Sequence, residues 1–159
     1  MLDLAIKECR KLDVFFSNQS FTKTNFKRNF FDIIFSSLSV TYISDLNSAW
    51  REFHRILKKG GLAVVIFAHP IRKMIKYTNF NYFDTGKHYE EYAGFTRFAY
   101  YHTIEEYLNS AVINGFAIKK FFEPKIIFPQ EYKLNESESG RVSPDLYPHF
   151  IVLLLEKTK

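Results

Sequence analysis

The stretch that decides the fold is residues 31–68, FDIIFSSLSVTYISDLNSAWREFHRILKKGGLAVVIFA. Its two ends, Phe31–Phe35 and Leu62–Ala68, are almost wholly apolar, which is typical of strands covered on both faces of a parallel sheet. Between them, apolar residues recur every three or four positions, which predicts an amphipathic helix that Gly60 and Gly61 end. Since a strand, a helix and a parallel strand form a right-handed crossover, the stretch predicts an α/β fold.

Patterns on both sides extend this unit. The spacing of apolar residues predicts a helix over Met1–Lys11, a short strand over Asp13–Ser17, and strands over Phe116–Phe122 and His149–Leu155. A Thr-x-x-Glu capping box predicts a further helix that opens at Thr103.

Two segments show no period. Residues 79–101 are rich in Tyr and Phe, and a segment of this length is long for a connector, so it is predicted to be an irregular lid or binding loop. The connection through Glu136–Pro144 is predicted to be a long loop between the last two strands.

Length and composition exclude several classes of protein. A chain of 159 residues fits one domain, and its longest apolar run, Leu62–Ala68, is far shorter than the ~18 residues of a membrane span. Cys9 is the only cysteine, and acidic residues interrupt the first turns, so no signal-peptide pattern is present. We therefore expect a cytoplasmic protein.

The net charge of +5 is concentrated in the first 80 residues. A basic half can attract RNA or a phosphorylated metabolite. However, Lys58, Lys59, Arg72, Lys73 and Lys76 occupy predicted helix ends and loops rather than one stripe. A solvated face is the favoured interpretation, and an RNA-directed role ranks last.

The order of these elements resembles the class I S-adenosylmethionine-dependent methyltransferases. The resemblance rests on FDIIFSSLSVTYISDL (31–46), WREFHRILKKGGLAVVIFAHP (50–70) and YYHTIEEYLNSAVINGFAIKKFFEP (100–124). Within the family, the sequence looks most like the small-molecule branch related to the ubiquinone and menaquinone biosynthesis enzymes. The resemblance implies an α/β Rossmann-like sheet of parallel strands with an antiparallel C-terminal hairpin.

The chain departs from the family pattern at its start. The family opens with a strand, a Gly-rich turn beside the cofactor, a helix, and a strand whose terminal acid binds the ribose. None of the six glycines forms G-x-G after a strand, and Met1–Ala5 matches the helix that follows that second strand. We therefore expect residues 1–159 to be one domain, the C-terminal two-thirds of a methyltransferase, with an incomplete sheet and an incomplete S-adenosylmethionine site.

The resemblance implies two cofactor-binding segments. Asn18 and Gln19 fall where the family's third strand ends beside adenine, although Asn18 replaces the usual acid and can equally be a simple turn residue. Ser36, Ser37 and Leu38 fall at the end of the family's fourth strand, which lines the methionine part of the cofactor.

Methyl transfer from a sulfonium donor chiefly requires alignment, and a base is needed only when the acceptor must lose a proton. His69, which ends a predicted strand, and His102, which precedes the Thr103 cap, are the candidate catalytic residues, although a lone histidine is more often structural. Tyr101 and Glu123 are candidate substrate-binding residues. No Cys or His spacing predicts a metal site.

Two function classes lead. The first is a methyltransferase for a small organic acceptor, impaired by the missing N-terminal motif and therefore weak in binding S-adenosylmethionine. The second is an inactive pseudoenzyme or interaction subunit that pairs with a partner. Because the free side of Phe31–Phe35 would be an apolar edge, we expect residues 13–17, a loop or self-association to cover it.

Overall fold

The computed structural model describes residues 2–76, 80–92, 94–125 and 146–158. In chain order, the elements are α1 (Leu2–Glu8), β1 (Phe31–Ser37), a short 3-10 helix (Val40–Tyr42), α2 (Leu46–Ile56), β2 (Leu57–Ala68), α3 (Ile71–Lys76), β3 (Gly86–Tyr92), β4 (Phe95–Tyr101), α4 (Ile104–Ile113), β5 (Phe116–Phe122) and β6 (Phe150–Lys157). None of the helices described is long and apolar enough to span a bilayer.

The main sheet has the strand order β1-β2-β6-β5. Strand β1 runs parallel to β2, with Phe35 opposite Val64, whereas β6 runs antiparallel to both β2 and β5. The predicted parallel crossover and the antiparallel C-terminal hairpin are therefore both confirmed. The predicted loop through Glu136–Pro144 lies outside the described residues.

The hydrophobic core lies between one face of this sheet and helices α2 and α4. Alternate residues of β2 and β6 point into it and are fully buried: Ala63, Val65, Phe67, Ile151, Leu153 and Leu155. The Tyr107 ring stacks on Phe67 with centroids 3.8 Å apart, and the Trp50 indole N–H donates to Ser110 Oγ at 2.7 Å. These contacts fix both helices against the face that carries the apolar alternation.

The strand predicted over Asp13–Ser17 is wrong. This segment has no strand geometry, and the Phe15 side chain is 82% exposed. A strand is stable only when a neighbour accepts and donates its backbone hydrogen bonds. The backbone bond described within the segment runs from Val14 N–H to Leu12 O, so three apolar residues alone were a misleading signal.

The predicted end of the first long helix is also wrong. Helix α2 ends at Ile56, and β2 begins at Leu57 and continues through both glycines. Gly60 adopts a left-handed φ of +71°, and a Cβ on Gly61 would lie 3.0 Å from the Asp32 carbonyl oxygen. The glycines therefore form an irregularity in the β1–β2 pairing rather than a helix stop.

Residues 80–92 and 94–101 are more regular than predicted, because they contain the two-stranded ribbon β3–β4. The face of the ribbon that packs inward carries His88, Glu90 and Arg97. The two strands therefore lack the alternation of apolar and polar residues that predicts a half-buried strand. The ribbon lies beside the 3-10 helix that follows β1, where Phe98 meets Tyr42 edge to face at 6.1 Å.

Candidate functional site

Three strands of the main sheet end at the same edge. Since β6 is antiparallel to both β2 and β5, the strands β1, β2 and β5 all run in one direction. Their carboxyl ends carry Ser36–Leu38, His69 and Glu123 respectively, and His149 precedes the start of β6 at the same edge. In open α/β sheets ligands bind at this edge, so the fold brings the three predicted positions, together with His149, to one edge that is the candidate site.

The end of β1 is an unusual turn. Leu38 has a φ of +58°, a left-handed conformation that non-glycine residues rarely adopt. Its N–H still donates to Ile66 O at 2.8 Å, and the Ser36 and Ser39 hydroxyls lie 2.6 Å apart. Ser36 is buried, whereas Ser37 is exposed. Backbone strain of this kind is often found at ligand-binding sites.

A groove of about 340 Å³ runs beside β1. Serines 36, 37 and 39 lie among its lining residues, and the rest are mainly apolar side chains from β1, α2 and residues 21–26. Strand β1 pairs only with β2 among the described strands, and Ile33 and Phe35 are 61% and 67% exposed. Of the three predicted ways of covering this edge, filling by residues 13–17 is wrong, because that segment forms no strand. The loop of residues 21–26 covers the edge in part, and self-association stays a prediction.

A partly buried ion pair fixes the wall of the groove formed by residues 21–26. Glu52 Oε1 accepts hydrogen bonds from the Thr24 backbone at 2.8 Å and the Thr24 hydroxyl at 2.6 Å, and Arg55 Nη2 donates to it at 2.7 Å. Arg55 also donates to the Phe26 carbonyl at 2.8 Å. The Arg55 hydrogen bond, with those from Thr24, lowers the pKa of Glu52 to about 2 although burial opposes it. This cluster was not predicted from the sequence, although an acid and a base three residues apart on a helix are a signal for it.

Asn18 and Gln19 lie in a loop rather than at the end of a strand. The Gln19 side chain accepts from Asn25 N–H at 2.6 Å and donates to the Ser17 hydroxyl, so its amide closes the loop on itself. Asn18 is exposed. The predicted strand-end geometry for these two residues is wrong because the strand before them does not form.

The two ring nitrogens of His69 are both engaged. Nδ1 accepts from the Ile71 N–H at 3.1 Å, and Nε2 lies 2.8 Å from Glu123 Oε1. The backbone N–H of His69 donates to the His149 carbonyl at 2.9 Å. The side chain is 5% exposed, whereas that of Glu123 is 45% exposed. The structure thus joins two residues that were predicted separately.

His102 lies deeper than its position before a helix suggested. Its Nε2 donates to the Ile43 carbonyl at 3.0 Å, and its Nδ1 lies 3.8 Å from Glu106 Oε2. The ring meets Tyr107 edge to face at 5.4 Å. The neighbouring capping box is confirmed: Thr103 N–H donates to Glu106 at 2.7 Å, and Glu106 N–H donates to the Thr103 hydroxyl at 3.1 Å.

Tyr101 belongs to a charged cluster beneath the ribbon. Its hydroxyl donates to Glu90 Oε1 at 2.7 Å, the same oxygen that Lys73 Nζ contacts at 2.7 Å, and Arg97 contacts Glu90 Oε2 at 3.1 Å. The Lys73 ammonium also lies over the Tyr101 ring, and burial lowers the pKa of Lys73 to about 8. His88 stacks on that ring at 4.3 Å. The cluster of Lys73, Glu90 and Arg97 was not predicted, because these residues lie on α3, β3 and β4 and no sequence spacing links them. In the part of the chain described, no three His, Cys, Asp or Glu side chains are grouped to hold a metal ion.

Comparison with known proteins bears on this arrangement. Residues 1–65 match the family model of a methyltransferase domain. No curated protein matches the chain.

Solved structures match almost the whole chain. A protein assigned as an S-adenosylmethionine-dependent methyltransferase from Listeria monocytogenes has a TM-score of 0.77 at 19% identity, over 99% of this chain and 76% of that one. Geranyl diphosphate C-methyltransferase from Streptomyces coelicolor has a TM-score of 0.68 at 16% identity, over 99% of this chain and 60% of that one. A 4+2 cyclase has a TM-score of 0.64 at 17% identity, over 99% of this chain and 62% of that one.

At these identities the structures establish the fold, and the cyclase shows that the fold hosts more than one activity. The family match over residues 1–65 agrees with the majority of these neighbours. The chain thus has the class I S-adenosylmethionine-dependent methyltransferase fold, and its first 65 residues match the methyltransferase-domain family.

Proposed function

We propose that this chain transfers the methyl group of S-adenosylmethionine to a small organic acceptor. The observation that carries the proposal is that Ser36–Leu38, His69 and Glu123 all lie at the carboxyl edge of a sheet with this fold. The proposal includes a single domain over residues 1–159 and a cytoplasmic location, both of which rest on the sequence pattern. The ubiquinone-related branch stays a prediction.

The residues beside β1 fit one part of the donor. The exposed Ser37 hydroxyl and the turn at Leu38 can bind the methionine end, and the apolar groove can hold a flat ring. Among the described residues that line the groove there is no carboxylate, so in this part of the chain the ribose hydroxyls lack the acidic partner of the family pattern. We propose that S-adenosylmethionine binds weakly, with a Kd above about 10 µM, which corresponds to less than about 7 kcal/mol.

We propose that the acceptor binds beside His69, His102 and Glu123, next to the ribbon. The sulfonium donor supplies an activated methyl group, so these side chains have to orient the acceptor and, where it is a hydroxyl or amine, remove its proton. Tyr101 would act through the position of the ribbon, because its hydroxyl is held by Glu90.

The test measures donor binding and transfer together. Calorimetric titration with S-adenosylmethionine gives the Kd, and tritium transfer from 2 mM donor to catechol, 4-hydroxybenzoate and histamine gives the rate. Ser37→Trp should abolish binding by filling the end of β1, whereas Asn109→Trp, on the exposed side of α4, should leave it unchanged. If neither binding nor methyl transfer is detected at 2 mM donor, the proposed function is refuted.

The second candidate is an inactive interaction subunit, and the exposed edge of β1 favours it. A strand with one neighbour presents unpaired backbone groups, and here Ile33 and Phe35 add apolar surface. The occupant that this candidate requires is a second copy of the chain. Light scattering should then show a dimer that Phe35→Lys converts to a monomer, with no methyl transfer by either form.

A further inference from the structure

We propose that Glu123 takes the acceptor's proton and that His69 is a positioning residue that holds the Glu123 carboxylate. This inference rests on the proposed methyl transfer. It reverses the assignment that the sequence alone favours, in which a histidine is the base.

The hydrogen bonds of His69 define which nitrogen carries the proton. A backbone N–H can only donate, so the 3.1 Å contact from Ile71 N–H to Nδ1 requires a lone pair on Nδ1. The proton of the neutral ring therefore lies on Nε2, which donates to Glu123 Oε1 at 2.8 Å. With both nitrogens used, the imidazole has no lone pair left for an acceptor.

The Glu123 carboxylate has the complementary arrangement. Its Oε1 is held by His69, and within the described residues its Oε2 has no hydrogen-bond partner. The side chain is 45% exposed, in contrast to the buried imidazole. Glu123 directly follows β5, and the proline after it favours an extended backbone, so the carboxylate has a defined position at the edge of the sheet.

Hydrogen bonds hold both the backbone and the ring of His69 in place. It follows β2, its N–H donates to the His149 carbonyl, and its ring accepts from the first turn of α3. A buried ring whose two nitrogens are both hydrogen-bonded, on a backbone held by His149, orients a carboxylate at little entropic cost, as neighbouring groups do in other catalytic pairs.

The step balances without a further reactant. The lone pair of an acceptor hydroxyl or amine forms the new bond to the methyl carbon, and the carbon–sulfur bond breaks with its electrons going to sulfur. The acceptor's proton passes to Glu123 Oε2. The positive charge of the sulfonium and the negative charge of the carboxylate both disappear, which leaves a neutral thioether and a neutral carboxylic acid.

The decisive variant is Glu123→Gln, whose amide oxygen still accepts from His69 Nε2–H but takes no proton. In the tritium-transfer assay its kcat should fall by about 10²-fold or more, with the KM for the donor within twofold. Glu105→Gln is the matched control, because this exposed glutamate on α4 contacts Asn109 and lies in no part of the site. It should leave kcat unchanged.

The positioning role of His69 needs its own readout. His69→Ala should lower kcat. His69→Gln, which restores an N–H donor, should have a kcat at least tenfold higher than that of His69→Ala. Nitrogen-15 spectra of the unmodified chain at pH 7.5 should show Nε2 protonated and Nδ1 bare. An unchanged spectrum in Glu123→Gln would show that the His69 ring keeps its position, independently of the methyl-transfer rate.

The outcomes separate the two proposals. Transfer by the unmodified chain that Glu123→Gln lowers less than threefold would overturn the role of Glu123. A loss in His69→Ala that His69→Gln does not recover, or a proton on Nδ1, would overturn the role of His69. Absence of transfer by the unmodified chain would refute the proposed function itself, and the base assignment with it.

Discussion

Replacing Glu52 with Gln tests how strongly one buried charge holds the wall of the β1 groove. The carboxylate accepts two hydrogen bonds from Thr24 and two from Arg55. Arg55 also donates a hydrogen bond to the Phe26 carbonyl. The amide of Gln keeps the shape of the side chain but not its charge. The change therefore isolates the electrostatic part of the contact.

The size of the effect follows from the pKa of Glu52, which is lowered from 4.5 to about 2. At 1.36 kcal/mol for each tenfold change in acidity, the ionised form contributes about 3 kcal/mol to the free energy of unfolding at pH 7. A lowered carboxyl pKa gives stability that is fully present above the unfolded value and is lost as the pH falls through the folded value. The contribution should thus decline below pH 4.5, reach about half at pH 3 and vanish below pH 2.

Urea denaturation of both proteins at pH 7 and pH 3, followed by circular dichroism, measures this difference. Glu52→Gln should be less stable by up to about 3 kcal/mol at pH 7, and the gap should narrow to about 1.5 kcal/mol at pH 3. Asp32→Asn, at an exposed ion pair with Lys58, is the control and should change stability by less than about 1 kcal/mol. An equal gap for Glu52→Gln at both pH values would refute the electrostatic account.

Three further changes test other contacts. Burial lowers the pKa of Lys73 from 10.5 to about 8, so the charged lysine is destabilising below pH 8. In urea denaturation, the free energy of unfolding of the unmodified chain should therefore rise by about 2 kcal/mol relative to that of Lys73→Met between pH 7 and pH 9.5. The same pH dependence of stability in both proteins would contradict this. Gly115→Ala places a Cβ 2.8 Å from His54 Nε2 at a φ of +86°, which should cost at least about 1–2 kcal/mol and lower the Tm, and an unchanged Tm would show that the site relaxes freely. Thr103→Ala removes the cap of α4 and should cost about 1 kcal/mol, with Glu106→Ala costing a similar amount if the two bonds form one box.

Local signals in the sequence predicted the fold well. The apolar ends and helical period of residues 31–68 specified a parallel crossover, and the predicted strand Phe116–Phe122 has the observed bounds. Asp13–Ser17 failed because a strand depends on a neighbour that a sequence does not display. The ribbon β3–β4 was not predicted because its inward face carries charged residues instead of an apolar stripe. One of these, Glu90, pairs with Lys73 of α3.

The candidate site was predicted in its parts but not in its connections. Ser36–Leu38, His69 and Glu123 were identified because each follows a predicted strand, and parallel strands end together. The hydrogen bond between His69 and Glu123 joins residues 54 positions apart, a distance over which spacing carries no information. Glu90 was missed for the same reason, since its partners come from α3 and β4.

The position of β6 has a consequence for synthesis on the ribosome. Among the described strands, β6 comes last in the chain, yet it lies between β2 and β5, which do not pair with each other. A nascent chain that has reached only residue 148 contains both strands of the β1–β2 pair, but β6, the described strand that pairs with β5, is complete only when residues 150–157 emerge. Translation must therefore pass its last strand before the sheet closes, and a stop codon shortly before Phe150 would release a polypeptide with two apolar strand edges open to aggregation.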